Sequence, residues 1–199
     1  MKRFTVLMIC AAFLAAGCSH SARFSVKGDL NTVGFDKDDT DSVMVYSHAL
    51  DKPLETAVRN GEFSLHGKTD KPYIARLRGN GRISRIGLDF FLESGTIMFR
   101  NGQAVGTPLN DAVAGFMNRM EKLSTQYEEN PADYRNACTE EVQRYVMAHL
   151  NDPTGPYVLK MNRRLINMKI ARELDEKISP EMKEAAGMTV VRSNTQPAQ

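Results

Sequence analysis

Along this chain the spacing of apolar residues changes once, near residue 106. Before that point they recur at every second position in short runs, the period of half-buried strands; after it they recur every three or four positions in long runs, the period of helices. Phe24-Ser-Val-Lys-Gly-Asp-Leu30 alternates in the first way, and so does Ser42-Val-Met-Val-Tyr-Ser47. The runs 54–59 and 62–66 flank Asn60-Gly61, a dipeptide that tolerates the positive φ angles of a two-residue turn. They predict a β-hairpin with Phe63 and Leu65 on one face and Glu62, Ser64 and His66 on the other. Residues 73–78 and 82–92 flank Gly79-Asn-Gly81 and predict a second hairpin. Residues 96–100, the Asn101-Gly102 turn and residues 103–105 bring the expectation to seven or eight short strands.

Thr107-Pro108 then carries a helix start signal, with Thr107 expected as N-cap and Pro108 in the first turn. Leu109, Val113, Phe116, Met120, Leu123 and Tyr127 form one apolar stripe. Asn130-Pro131 repeats the signal ahead of the stripe Tyr134, Cys138, Val142, Tyr145 and His149. Asn151-Asp-Pro-Thr-Gly-Pro156 is a break, a third helix is expected over about 157–177, and Ser179-Pro180 opens a short fourth. The expected fold class is therefore α+β: an antiparallel β-sandwich or flattened barrel over about residues 23–106, followed by three to four α-helices over about 107–187. Residues 188–199 are polar and without pattern, as expected of a frayed tail.

The first residues follow another logic. Lys2 and Arg3 precede an apolar run of 13 residues, Phe4 to Ala16. That run is shorter than the roughly 20 residues of a membrane-spanning helix, and it reads as a signal peptide over 1–17. It ends in Leu14-Ala-Ala-Gly-Cys18, which resembles a bacterial lipobox with Ala15 where leucine is usual. Cys18 is the expected lipidated residue and 18–22 a short tether. The implied address is a bacterial envelope membrane, expected to be the outer membrane facing the periplasm. Each buried acyl methylene would add about 0.8 kcal/mol to that attachment.

Composition changes the picture by exclusion. The chain has 199 residues, 42% hydrophobic and 25% charged, with a net charge of +2. Both surplus charges lie in the signal peptide, so the remainder carries 24 basic and 24 acidic side chains. Neutrality without a basic stripe argues against nucleic acid. Of three cysteines, Cys10 leaves with the signal and Cys18 takes lipid; Cys138 remains, with no Cys-x-x-Cys motif. This excludes dithiol chemistry by the chain alone, and Cys138, on a helix stripe, reads as a buried inert thiol. Asp36, Asp38 and Asp39 lack the spacing of a calcium loop, and neither His48 nor His66 has a ligand partner at metal spacing. No metal or other cofactor is expected. The eleven methionines read as gap-filling core or as an adaptable groove.

Candidate binding chemistry gathers at one place: Arg76, Arg78, Arg82 and Arg85 on the second hairpin. Guanidinium groups paired across a hairpin can clamp a carboxylate or phosphate; the alternative is the solvated face of a half-exposed sheet. Asp89 and Glu93, four apart on a strand, would stand about 13 Å from each other. That is wider than the roughly 5–9.5 Å of a glycosidase pair. No catalytic residue is assigned, and the chain is expected not to be an enzyme.

Four motifs, Phe24-x-Val-x-Gly-x-Leu30, Asn60-Gly61-x-Phe63-x-Leu-x-Gly67, Phe91-Leu-Glu93-x-Gly95 and Gly106-Thr-Pro-Leu-Asn-Asp111, resemble domain of unknown function 4369 over about residues 22–128. This β-rich domain occurs in envelope lipoproteins of Gram-negative gut anaerobes, commonly ahead of a thioredoxin-like thiol–disulfide domain. The resemblance implies turns and core positions rather than chemistry. The helices after Asn130, with Gly155-Pro-Tyr-Val-Leu159, look like the connector of longer relatives, whose thioredoxin-like domain is expected to be missing here. Two functions follow as expectations: a lipid-anchored module that binds a small ligand or a protein partner, or an accessory docking on a separate thioredoxin-like protein. The first should show an apolar pocket near the arginine hairpin. The second should show apolar surface on the helices around Leu165 and Met168.

Overall fold

The computed structural model describes residues 22–81 and 87–188. The signal peptide, Cys18, Arg82, Arg85 and residues 189–199 of the expected tail lie outside the described residues.

Eight strands are described: β1 (Ala22–Asp29), β2 (Ser42–Tyr46), β3 (Leu54–Ala57), β4 (Glu62–Thr69), β5 (Tyr73–Gly79), β6 (Leu88–Leu92), β7 (Gly95–Arg100) and β8 (Gln103–Val105). They form two four-stranded sheets, ordered β4-β1-β7-β8 and β3-β2-β5-β6. The sandwich alternative is the one realised, and no barrel closes. All pairs are antiparallel except β1 with β7, which run parallel with Val26 opposite Ile97. A parallel pair needs a long crossover, and here the whole second sheet supplies it.

Alternation builds the core between the sheets. Phe24, Val26, Phe63, Leu65, Ile97 and Phe99 point inward from one sheet, and Val43, Val45, Ala75, Leu77, Phe90 and Leu92 from the other. Burying each large side chain contributes about 1.5–3 kcal/mol. The motifs of β1 and β4 interlock reciprocally. Phe24 stands opposite Gly67, Val26 opposite Leu65, and Gly28 opposite Phe63. Each phenylalanine ring lies across the glycine of the partner strand, where an added Cβ would penetrate the ring. The spacing Phe-x-x-x-Gly, repeated on antiparallel strands, makes both contacts at once.

Two expectations about turns need correction. Asn60 and Gly61 do take positive φ, 54° and 82°, and close a two-residue turn between Arg59 and Glu62. The strands it joins nevertheless belong to different sheets, β3 pairing with β2 and β4 with β1. The turn is a corner of the sandwich and not a hairpin, because the inward side chains of β3 and β4 serve opposite walls of one core. Gly79-Asn-Gly81 is not a tight turn either. Asn80 runs on beside β2, its N–H donating to the Ser42 carbonyl and its Oδ1 accepting from the Asp41 and Ser42 N–H groups. The β5–β6 pairing itself is as expected, with Leu77 opposite Leu88.

A short α1 (Leu30–Val33) follows β1, and among the described residues five helices follow the sheets: α2 (Pro108–Gln126), α3 (Pro131–Ala148), α4 (Thr154–Asn162), α5 (Met168–Lys177) and α6 (Pro180–Ala185). The single helix expected over 157–177 is two. Asn162 turns its amide back to the Val158 carbonyl, and Asn167 caps the Lys169 N–H, so the chain stops and restarts between them. Helix α4 also begins earlier than expected. The Asp152 carboxylate accepts from the Thr154 N–H at 2.9 Å, and Pro156 lies in the first turn, where no N–H is required. Phe116, Cys138, Val142, Tyr145, Val146, Leu159 and Leu174 form a second apolar core among the helices. None of the described helices is long and apolar enough to cross a membrane.

Helix α2 closes the open side of the sandwich, lying against β8 of one sheet and β6 of the other. Thr107 occupies the N-cap position, but its hydroxyl does not cap the helix and instead accepts from the Asn110 amide. The buried Glu93 carboxylate, just past β6, takes that role and accepts from the N–H groups of Leu109 and Asn110 at 2.8 and 3.2 Å. A carboxylate there also complements the positive end of the helix dipole. Asn110 in turn matches the outward edge of β6, donating to the Phe91 carbonyl at 2.8 Å and accepting from the Phe91 N–H at 2.9 Å.

Candidate functional site

Strand β6 is buried on both sides, and this positions the site. Phe90 and Leu92 face the sandwich core, while Phe91 faces the helices and meets Tyr157 of α4 edge-to-face at 5.6 Å. Between β6, α2 and α4 lies a cavity of about 420 Å³. Phe91, Phe116, Met117, Tyr157, Val158 and Met161 supply most of its apolar wall, and Arg76 and Asp89 stand at its polar side. A volume in the range of about 300–1,000 Å³, largely apolar with a few polar groups, is the usual form of a small-molecule site.

The alternation of β5 that sends Ala75 and Leu77 inward sends Arg76 and Arg78 outward. Arg76 is opposite Asp89 in the β5–β6 register, and the two form a bidentate pair: Nε to Oδ1 at 2.6 Å and Nη2 to Oδ2 at 3.0 Å. One guanidinium of the candidate anion-binding patch, that of Arg76, is therefore engaged by a carboxylate of the same chain. Asp89 holds the Arg76 guanidinium above its ordinary pKa. Arg78 lies over the Tyr46 ring at 5.8 Å, a cation–π arrangement. Arg82 and Arg85 cannot be placed with them, being outside the described residues.

The Arg76–Asp89 pair also forms part of a second, more open cleft of about 460 Å³, shared with Tyr46, His48, Arg78 and Lys160. The pair is thus a common wall between an apolar cavity and a cationic cleft. Tyr157 belongs to the same site. Burial pushes its phenol up to about 12, with the Asp89 charge adding to the shift and Arg76 opposing it. A wide groove of about 810 Å³ on the first sheet, near Lys27, Arg59 and Glu62, is lined by charges of both signs.

The other singled-out residues have structural roles. Asp89 and Glu93 have separate partners: one is held by Arg76 and the other caps α2. Cys138 is fully buried, and burial pushes its thiol up, as the helix stripe implied. His66 is exposed beside Ser64, and His48 meets the Tyr73 ring at 5.0 Å. His149 stacks on Tyr145 at 4.2 Å, and its Nδ1 lies 2.7 Å from Asp152 Oδ2. No group of three or more metal-ligating side chains comes together among the described residues. Leu165 is half-buried against the helical core, while Met161 and Met168 are 59% and 55% exposed.

Sequence reasoning named a pocket near the arginine hairpin as the mark of a binding module but missed Tyr157 and the helices that wall the cavity. The Asn130 and Ser179 caps were readable from local pattern, but the burial of Tyr157 depends on α4 lying across β6, which no local signal specifies. The one available sign was Phe90-Phe-Leu92, a run without alternation, which implies a strand covered on both faces.

Comparison with curated proteins and with solved structures gives no match. A family model does match, over residues 24–112, and this range takes in all four motifs: the Phe–Gly interlock of β1 with β4, the corner at Asn60-Gly61, and the Glu93 and Asn110 joint between β6 and α2. Over that stretch the chain matches the model of the family described as Domain of unknown function (DUF4369).

Proposed function

We propose that this protein is a lipid-anchored module of the bacterial envelope, attached through Cys18, that binds a small molecule between its sheet and its helices. The observation that carries the reading is the cavity between β6, α2 and α4, which places apolar walls against the Arg76–Asp89 pair. The module performs no reaction in this reading. The lipobox-like Leu14-Ala-Ala-Gly-Cys18 supports the anchor. The test is capture of the Cys18-lipidated protein from its own envelope, with mass spectrometry of small molecules and of proteins. Wild type should retain a small molecule that a cavity-filling Val113→Trp variant releases. Retention of nothing by wild type would sink the reading.

A second reading is an accessory that docks on a separate thioredoxin-like protein without redox activity of its own. The exposed Met161 and Met168 favour it, since apolar side chains on a helical surface suit a protein partner. Its mark would be a thioredoxin-like lipoprotein in the same capture, lost on Met168→Asp.

A further inference from the structure

The hydrogen-bond stoichiometry at the polar side of the cavity is lopsided. Both oxygens of Asp89 are engaged by Arg76, through Nε and Nη2 only. A guanidinium carries five N–H donors, so three are left by this pairing among the described residues, against two of the roughly four acceptor positions of the carboxylate. Arg76 is also the more exposed partner, at 46% against 18% for Asp89. The Tyr157 hydroxyl makes no hydrogen bond among the described residues, and its raised pKa keeps it an O–H donor across the ordinary pH range. Of the amide oxygens lining the cavity, that of Asn110 takes the Phe91 N–H. In the adjoining cleft, Lys52, Arg76, Arg78 and Lys160 stand with two carboxylates, Asp51 and Asp89, among the described residues. The wall the two spaces share therefore offers donors and positive potential.

We infer that the cavity takes an amphiphilic anion, its aliphatic or ring body seated against Phe91, Phe116 and Met161 and its carboxylate or phosphate end received by Arg76 and Tyr157. This rests on the cavity being a ligand site and adds the class of ligand. A body without the charge would forgo the charge-assisted bonds, and a charge without the body would forgo the apolar wall. A cationic end would meet Arg76 before any free acceptor.

The test is calorimetric titration with decanoate, decanol, decyltrimethylammonium and butyrate, each below its micellar concentration. Decanoate should bind at least tenfold more tightly than decanol, and butyrate should bind more weakly than decanoate. The paired neutral substitution Arg76→Gln with Asp89→Asn should bring decanoate down to the level of decanol and leave decanol unchanged. Because that pair leaves no charge unpartnered, circular dichroism should show the fold retained. Equal binding of decanoate and decanol, or tighter binding of the ammonium probe, overturns the anion assignment while the cavity reading stands. No binding by any decyl probe, or binding that survives Met161→Trp at the cavity rim, overturns both. Competition of decanoate by vesicles containing phosphatidylglycerol would assign the anion to a bilayer lipid, and its failure to a free acid; either keeps the assignment.

Discussion

The two apolar cores are built on different principles. Between the sheets, Phe24, Phe35, Phe63, Phe90 and Phe99 fill a space enclosed on both faces by hydrogen-bonded strands. Phe90 and Phe99 meet edge-to-face at 5.5 Å, and Phe63 and Phe99 lie 6.5 Å apart. Among the helices, Phe116 is the one buried phenylalanine, and Met120, Cys138 and Tyr145 join it. Sulfur side chains adapt to irregular gaps and specify shape less strictly than packed rings. The sandwich is thus the rigid member, and the helices are laid over its β6 wall with a cavity left at the join. Enclosure serves stability in one region, and incomplete packing leaves a cavity where the other meets it.

The largest test of that contrast is to break the interlock of β1 and β4. Phe63→Ala should cost about 3–5 kcal/mol, since it removes a buried ring and leaves a hole that two sheets cannot close. Gly28→Ala, on the opposite strand, should cost about 1–3 kcal/mol by forcing the Phe63 ring out of place. Chemical denaturation measures both. Losses under 0.5 kcal/mol for each would mean that the two strands do not depend on the ring-over-glycine arrangement.

A smaller effect separates the join from both cores. The Tyr157 phenol titrates near 12 in the folded protein against an ordinary 10. A group whose folded pKa is raised stabilises the fold fully below its unfolded value and ceases to do so as pH rises through the folded one. Tyr157 should therefore contribute about 2–3 kcal/mol of stability below pH 10 that is lost between pH 10 and 12. Other tyrosines and lysines titrate in this window, so the comparison is with Tyr157→Phe. The variant should lose less stability than wild type across that range. Parallel losses would show that Tyr157 is not buried at the join.

Much of this architecture was readable because its signals are local. Alternation placed Phe63 and Leu65 in the core, and the Asn130 and Ser179 caps marked helix starts. What escaped depends on distance along the chain. Asn60-Gly61 encodes a tight turn, but whether its flanking strands pair with each other or with β2 and β1 is decided by the whole core. The partner of Arg76 is 13 residues away and follows from a register set by the intervening segment. Glu93 caps a helix that begins well after it, through a backbone approach no spacing rule describes. The split of α4 from α5 was hidden because Ile166 continues the apolar stripe while Asn162 and Asn167 interrupt the backbone.

The smallest effect belongs to the helical region alone. Glu141 of α3 accepts from Arg119 of α2 at 2.6 Å and also from Arg144. Burial pushes its carboxyl up, but the hydrogen bonds and charges of the two arginines outweigh that and hold it below its ordinary value. A carboxylate depressed in this way stabilises the fold above its unfolded pKa of 4.5 and loses that contribution as pH falls through the folded value. Both arginines are exposed, so water and salt screen them, and Glu141→Gln should cost only about 0.5–1 kcal/mol at pH 7. As pH falls through the folded value the cost should shrink toward nothing, and molar salt should halve it at pH 7. The sandwich should be indifferent: hydrogen exchange at Val26 and Leu77 should stay unchanged while amides of α2 and α3 exchange faster. Equal acceleration in both regions would mean that the two cores unfold as one cooperative unit, and the contrast between them would then lie in composition alone.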